Sequence, residues 1–128
     1  MPFSLIMFDI DHFKQINDSF GHQNGDTVLV KLCEAVRNHI RESDVFSRWG
    51  GEEFMLMLVG SDAEKTLGIA EHLRTIIENV SFDHGSNVTC SFGITQMQPF
   101  DTIDTLTKRV DDALYQAKNG GRNRSILI

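Results

Sequence analysis

Two apolar runs, Val45 to Trp49 and Phe54 to Val59, stand four residues apart, with Gly50-Gly51-Glu52-Glu53 between them. So short a connection leaves an antiparallel pair as the reading, and Gly-Gly is a favoured tight link because both residues tolerate positive φ. The hairpin predicted here carries Glu52 and Glu53 at its tip. Neighbouring carboxylates disfavour each other's ionisation, so the pair calls for a cation, with Mg²⁺ the first candidate.

The rest of the chain arranges itself around that hairpin. Phe3 to Phe8 reads as a first strand and begins so near the start that the domain is expected to be trimmed at its N-terminus. A short helix from about His12 to Ser19, a loop from Gly21 to Gly25, and a helix with Val28, Leu29, Leu32, Cys33, Val36 and Ile40 on one face come next. After the hairpin, Ser61-x-x-Glu64 reads as a capping box opening a third helix, with Leu67, Ala70, Leu73, Ile77 and Val80 on its apolar face. Val88, Cys90, Phe92 and Ile94 alternate with Thr89, Ser91, Gly93 and Thr95, the period of a half-buried strand. A last helix carries Ile103, Leu106, Val110, Ala113, Leu114 and Ala117 and stops at Gly120-Gly121. Ser125 to Ile128 closes as an edge strand. The order contains the ferredoxin-like βαββαβ unit, an α+β core with a central antiparallel sheet, flanking helices and an extra C-terminal strand.

With 128 residues, 41% of them hydrophobic, the chain fits one domain with a real core. Its net charge of −6 excludes a nucleic-acid polymer held through phosphate neutralisation but leaves a single nucleotide open, because Mg²⁺ can supply the positive charge. Cys33 and Cys90 fall in apolar segments without a Cys-x-x-Cys pair and are expected to be reduced core residues of a cytosolic protein. No apolar stretch approaches a membrane span, and no charged-then-apolar leader precedes the first strand, so this piece of chain is expected to be soluble with no membrane contact.

In the ferredoxin-like arrangement the first strand pairs antiparallel with the third, which sets Asp9 beside Glu52 and Glu53. Carboxylates at one sheet end suit Mg²⁺, as in palm-type polymerases and nucleotidyl cyclases. The other reading has Asp9 or Asp11 capping the next helix and the glutamates as solvated decoration.

Four stretches then narrow the field: Phe8-Asp9-Ile10-Asp11-His12-Phe13-Lys14-Gln15-Ile16-Asn17-Asp18, Phe20-Gly21-His22-Gln23-Asn24-Gly25-Asp26, Gly50-Gly51-Glu52-Glu53-Phe54, and Tyr115-Gln116-Ala117-Lys118-Asn119-Gly120-Gly121-Arg122-Asn123. In order and spacing they resemble the GGDEF domain of diguanylate cyclases, in its GGEEF variant, over essentially residues 1–128. That family usually carries a helix with an Asp-x-Leu-Thr-Gly-Leu-x-Asn-Arg stretch ahead of the first strand, which this sequence lacks.

The resemblance implies a Mg²⁺-dependent enzyme, with Mn²⁺ as a possible substitute, that condenses two GTP into cyclic di-GMP and two pyrophosphates. Asp9, the Ile10 carbonyl and Glu52 would hold the metal, and Glu53 would be the second signature acid, a ligand or a proton acceptor. Lys14 would offset phosphate charge. Asn17 and Asp26 would read guanine, where a carboxylate can accept from N1–H and N2–H₂; a turn role for Asn17 and an N-cap role for Asp26 compete. His22 lines the nucleotide site or shapes the loop. Lys118 and Arg122 would hold the triphosphate, although cations at a helix C-terminus are favoured without a ligand as well. Arg41-x-x-Asp44 is similar to the family's inhibitory product site, against the competing reading of a surface ion pair. His72 stands where the family often has a second product-clamping arginine. His12, His39, His72 and His84 lack zinc spacing, and Trp49 and Phe54 are expected to pack the hairpin.

The two-fold symmetric product implies a homodimer, at least transient. The family context further implies a cytoplasmic domain with a sensory domain upstream, in a parent protein free to be membrane-anchored. A catalytically silent sensor of GTP or cyclic di-GMP, and a different nucleotide cyclase or palm-like transferase, are the alternatives.

Overall fold

The computed structural model describes residues 1–128 as one five-stranded mixed sheet with four helices, in the order β1 (Phe3–Ile10), α1 (Phe13–Phe20), α2 (His22–Arg37), β2 (Val45–Gly50), β3 (Glu53–Val59), α3 (Ala63–Glu78), β4 (Cys90–Gln96), α4 (Ile103–Asn119) and β5 (Ser125–Leu127). The strands lie in the order β2-β3-β1-β4-β5, antiparallel except that β5 joins β4 in parallel. This is the expected ferredoxin-like core with an added C-terminal edge strand. No helix is long and apolar enough to cross a membrane.

β1 is the middle strand, and helices cover both of its faces, which is why Leu5 to Phe8 reads as an unbroken apolar run. Ile6, Phe8 and Ile10 point into the larger core with Phe54, Leu56, Phe92 and Ile94, closed over by Val28, Leu32 and Val36 of α2 and Leu73 and Ile77 of α3. Leu5, Met7 and Met55 face the other way, against Leu106, Val110 and Leu114 of α4. At the centre of the larger core the fully buried Phe8 ring stacks on Phe92, Phe54 and Phe46 at 4.8, 5.2 and 6.1 Å between centroids.

Several local expectations change in the fold. β4 keeps its alternation, but its polar face is buried rather than solvated. Gly93 makes this possible, because a Cβ there would stand 2.3 Å from the Leu114 backbone nitrogen and 2.7 Å from the Val110 carbonyl oxygen. With that space left open, α4 lies directly on the strand, and Val88 and Thr89 fall outside it. The expected Gly21-to-Gly25 loop shrinks to Gly21, whose φ of 87° separates two helices, so His22 begins α2 and Asp26 lies inside it rather than capping it. The third helix starts one residue late: Asp62 accepts from the Lys65 amide at 2.9 Å, while Ser61 is buried and shares a 2.7 Å hydrogen bond with Thr66. Ile103, placed on the apolar face of α4, is 85% exposed. Ile40 and Val80 lie just beyond the ends of α2 and α3.

The hairpin forms without the expected positive φ at Gly50 and Gly51. Instead, register shifts between Arg48 and Gly50, Gly51 and Glu52 make the turn, and Arg48 donates from Nε and Nη2 to the Gly51 carbonyl at 2.8 and 2.5 Å. The irregularity turns Trp49 outward, 58% exposed, while Phe54 is buried. Cys33 and Cys90 are free thiols that burial pushes above the usual range, as suits small core residues.

Candidate active site

Antiparallel pairing of β1 with β3 makes Asp9 the register partner of Glu53, and the Ile10 amide donates to the Glu52 carbonyl at 3.2 Å. Residues more than forty positions apart therefore meet at one end of the sheet. There, Asp9, Ile10, Glu52, Lys14, Lys118 and Arg122 line one cleft of about 170 Å³, together with Asp11, His12 and Phe13. Acids enter it from β1 and the hairpin turn, and cations from α1 and the end of α4.

Asp9 is the electrostatic centre of the cleft. It is 4% exposed, and burial lifts its carboxyl to about 6; the hydrogen bond and charge of Lys118 pull it down, while Glu52 and Glu53 push it up. The Lys118 ammonium donates to Asp9 Oδ2, and Oδ1 accepts no protein hydrogen bond.

Two carboxylates beside a main-chain carbonyl form a hard oxygen donor set that fits Mg²⁺ or Mn²⁺, and a cation would relieve the burial of Asp9. No three His, Cys, Asp or Glu side chains converge as a metal site. A bound ion would therefore complete its shell from water and phosphate, as Mg²⁺ commonly does.

Glu52 and Glu53 separate in space. Glu52 lines the cleft, whereas Glu53 lines a neighbouring hollow with Trp49, Lys108 and Asp111. Asn17, His22 and Asp26 also stand outside the cleft, on α1 and α2. Asn17 lies hard against α2: a Cβ on the buried Gly25 would sit 1.8 Å from Asn17 Oδ1, so glycine sets how closely Asn17 approaches the turn bearing Asp26. Gly25→Ala is expected to displace Asn17 and, as overpacking, to lower stability by about 1–3 kcal/mol, as measured by thermal melts. His22 opens α2 with its side chain exposed.

Arg41 and Asp44 are far from this cleft. The Arg41 amide and guanidinium both donate to Asp44 at 2.9 Å, and Nη2 also reaches the Val59 carbonyl at 2.9 Å. Val59 ends the strand that Glu53 begins, so about 20 Å separates the two places at ~3.3 Å per residue. About half of the Arg41 side chain is exposed while the Asp44 side chain is buried, and Nε and Nη1 make no hydrogen bond within the protein. His39 and His72 lie edge to face, 5.7 Å apart.

Reading the residues alone misses the part played by Asp11. It caps no helix: its carboxyl accepts from Thr89 Oγ1 at 2.7 Å, Ser91 Oγ at 2.6 Å and the Asn123 amide at 3.0 Å. Its only local signal is its place two residues after Asp9, just past the end of β1.

The family model described as "Diguanylate cyclase, GGDEF domain" matches residues 1–124. The diguanylate cyclase DgcM of Escherichia coli is 44% identical over 122 residues, covering 95% of this chain and 30% of that protein. The response regulator PleD of Caulobacter vibrioides is 40% identical over 128 residues, covering 95% of this chain and 28% of PleD. The chain thus spans about a third or less of the length of these curated relatives. Among solved structures, the active GGEEF domain of a diguanylate cyclase from Vibrio cholerae superposes with a TM-score of 0.95 at 36% identity, over 99% of this chain and 83% of that one. The GGDEF domain of DgcB from Caulobacter crescentus, in complex with c-di-GMP, gives 0.93 at 30% identity, over 98% and 77%. A sheet end that gathers these acids and cations, on this topology and with these relatives, places the chain in the GGDEF domain family of diguanylate cyclases.

Proposed function

We propose that the domain condenses two GTP molecules into cyclic di-GMP, releasing two pyrophosphates. The observation that carries this reading is the single cleft in which Asp9, Glu52, Lys14, Lys118 and Arg122 mix both signs of charge. The names of its relatives support it. Asp9, Glu52 and the Ile10 carbonyl would hold Mg²⁺, which when bound activates the attacking hydroxyl and stabilises charge on the phosphates.

The protein's own part is positioning and electrostatics. Lys14, Lys118 and Arg122 hold the triphosphate, and Asn17 with Asp26 selects guanine through the hydrogen bonds a carboxylate and an amide can make. Glu53, turned toward the neighbouring hollow, is assigned to proton acceptance rather than to the metal. Each domain presents one GTP, so two copies face each other to close the symmetric product.

Incubation with GTP and Mg²⁺ over a range of protein concentrations, with chromatographic separation of products, tests the reading. Cyclic di-GMP forming faster than in proportion to protein supports it. GTP that binds but stays intact at every concentration overturns it in favour of a sensor, and ATP competing as well as GTP would point to another nucleotide transferase.

Proton and metal compete for Asp9, so affinity for Mg²⁺ should rise with pH until the carboxyl is ionised, above about 6. Between the ordinary value of 3.8 and about 6 the folded state holds a proton that the unfolded chain releases. Stability contributed by Asp9 therefore falls as pH rises through that window. Thermal melts with and without Mg²⁺ should diverge more at pH 7.5 than at pH 5, where about nine-tenths of Asp9 is protonated.

Arg41 and Asp44 are assigned to feedback binding of cyclic di-GMP, with the exposed Arg41 donors meeting guanine edges or phosphate. Arg41→Ala should raise the concentration of cyclic di-GMP needed for half inhibition at least tenfold, as one lost charge-assisted hydrogen bond implies. An unchanged inhibition curve would remove Arg41 from that role.

A further inference from the structure

The loop that follows α4 is bent in a way its residue types do not favour. α4 ends in a Schellman motif, with the Arg122 amide donating to the Ala117 carbonyl at 3.0 Å and the Gly121 amide to the Lys118 carbonyl at 3.4 Å. Past Gly121, two further residues stay in the left-handed region, Arg122 with φ 63° and Asn123 with φ 45°. Glycine tolerates that region freely and asparagine moderately, but an arginine held there needs support from its surroundings. Arg122 lines the cleft, so this bend decides where a phosphate-holding guanidinium stands.

The support comes from Asp11, just past the end of the strand that supplies Asp9. Asp11 is 6% exposed and makes no ion pair; its three donors are the Thr89 and Ser91 hydroxyls and the Asn123 amide. The Asn123 side chain is gripped in turn, accepting from Arg74 Nη1 at 3.0 Å and donating to Glu78 Oε2 at 2.6 Å. Arg74 is itself oriented by Glu71, which also accepts from Ser125 at 2.7 Å. Beyond the bend, the Arg124 carbonyl accepts from Phe92 at 2.9 Å and starts β5. Arg124 Nε donates to the Arg122 carbonyl at 3.2 Å; at Asn123 the main-chain tie is Asp11 and the side-chain ties are Arg74 and Glu78 of α3.

We propose that Asp11 is a positioning residue that holds the Gly121–Asn123 bend and so sets Arg122 against the triphosphate. It would act through Asn123 and never touch the nucleotide. Because Asp11 follows Asp9 by two residues, just past the end of β1, the acidic and the phosphate-holding sides of the cleft are referenced to the same piece of backbone. The proposal rests on the GTP reading above for its ligand, while its structural half stands on the loop alone.

The test pairs Asp11→Ala with Arg122→Ala in a double-mutant cycle, reading the affinity of a non-hydrolysable GTP analogue by calorimetry and the amide exchange of Asn123 by NMR. Asp11→Ala should speed Asn123 exchange at least about tenfold while the β1, β3 and β4 amides keep their protection. It should also weaken the analogue by about tenfold, and adding Arg122→Ala should then cost less than about twofold, because coupled residues do not add. A residue that serves only packing would give additive losses and an Asn123 amide as slow as in the unmodified chain, and either result overturns the proposal. Should Asp11→Ala fail to fold, Asp11→Asn carries the same cycle; it keeps an acceptor for the Asn123 amide, so the same signs are expected at smaller size. An unmodified domain that converts no GTP would count against the cyclase reading alone, since neither readout requires turnover.

Discussion

Glu52→Ala is expected to lower the rate of the proposed GTP condensation by about a hundred- to a thousandfold, the size of effect seen when a group that stabilises developing charge is removed. The argument is positional. Glu52 sits in the hairpin turn and lines the cleft opposite Lys14 and Lys118, and with Asp9 it completes the pair of carboxylates available to an ion. Without it the acids left in the cleft are Asp9, already engaged by Lys118, and Asp11, whose oxygens are taken by Thr89, Ser91 and Asn123. The turn is half exposed, and Arg48 keeps its hold on the Gly51 carbonyl, so the fold should survive. Pyrophosphate release at saturating GTP and Mg²⁺, beside a far-ultraviolet circular dichroism spectrum, separates loss of chemistry from loss of structure. Full activity in this variant would remove Glu52 from the metal-holding set. Glu53→Gln should cost less with respect to metal affinity, because that side chain lines the adjoining hollow.

Gly93→Ala should be the most damaging single methyl group in the sheet. The added Cβ would meet the Leu114 nitrogen at 2.3 Å, the Val110 oxygen at 2.7 Å and the Ala113 carbonyl carbon at 2.9 Å. All three are backbone atoms of α4, so no side chain can swing aside and the helix itself must move. Overpacking of this kind costs about 1–3 kcal/mol and sometimes more. At roughly 4 °C per kcal/mol for a domain of this size, the melting temperature should fall by about 4–12 °C. Because α4 carries Lys118 to Asp9, the proposed binding of GTP should weaken as well. A variant that melts and binds like the unmodified chain would mean that α4 does not rest on β4 as closely as described.

Gly93 also marks where local reading stops. The alternation of Val88 to Thr95 identifies a strand, because a period of two is set by neighbours along the chain. Whether its polar side meets water or a helix depends on α4. Ser91 and Thr95 look like solvated positions until their partners are known: Ser91 binds Asp11, and Thr95 accepts from Arg109 Nε at 2.6 Å. The helix starts behave similarly. Ser61 and Glu64 form a sound capping pattern, yet Ser61 is drawn inward by Thr66 and Ser4, and Asp62 takes the cap. At Gly21 a lone glycine ends one helix and opens the next, where a run of turn-forming residues suggests a longer loop.

By itself the sequence determined the strands and helices to within a few residues, the β1–β3 pairing, and the chemical types gathered near Asp9. The elements depend on residues two to four apart or on the short hairpin, where local sterics and apolar burial act, whereas the β1–β3 pairing follows from the element order of the ferredoxin-like unit and the cations near Asp9 from the family resemblance. Only the tertiary structure decided that Glu52 lines the cleft while Glu53 lines a neighbouring hollow, since Glu52 stays in the turn and Glu53 begins β3. It also decided that Asp11 is a tether and not a cap. Its hydrogen-bond partners lie 78, 80 and 112 positions away, and no local preference reaches across such a distance.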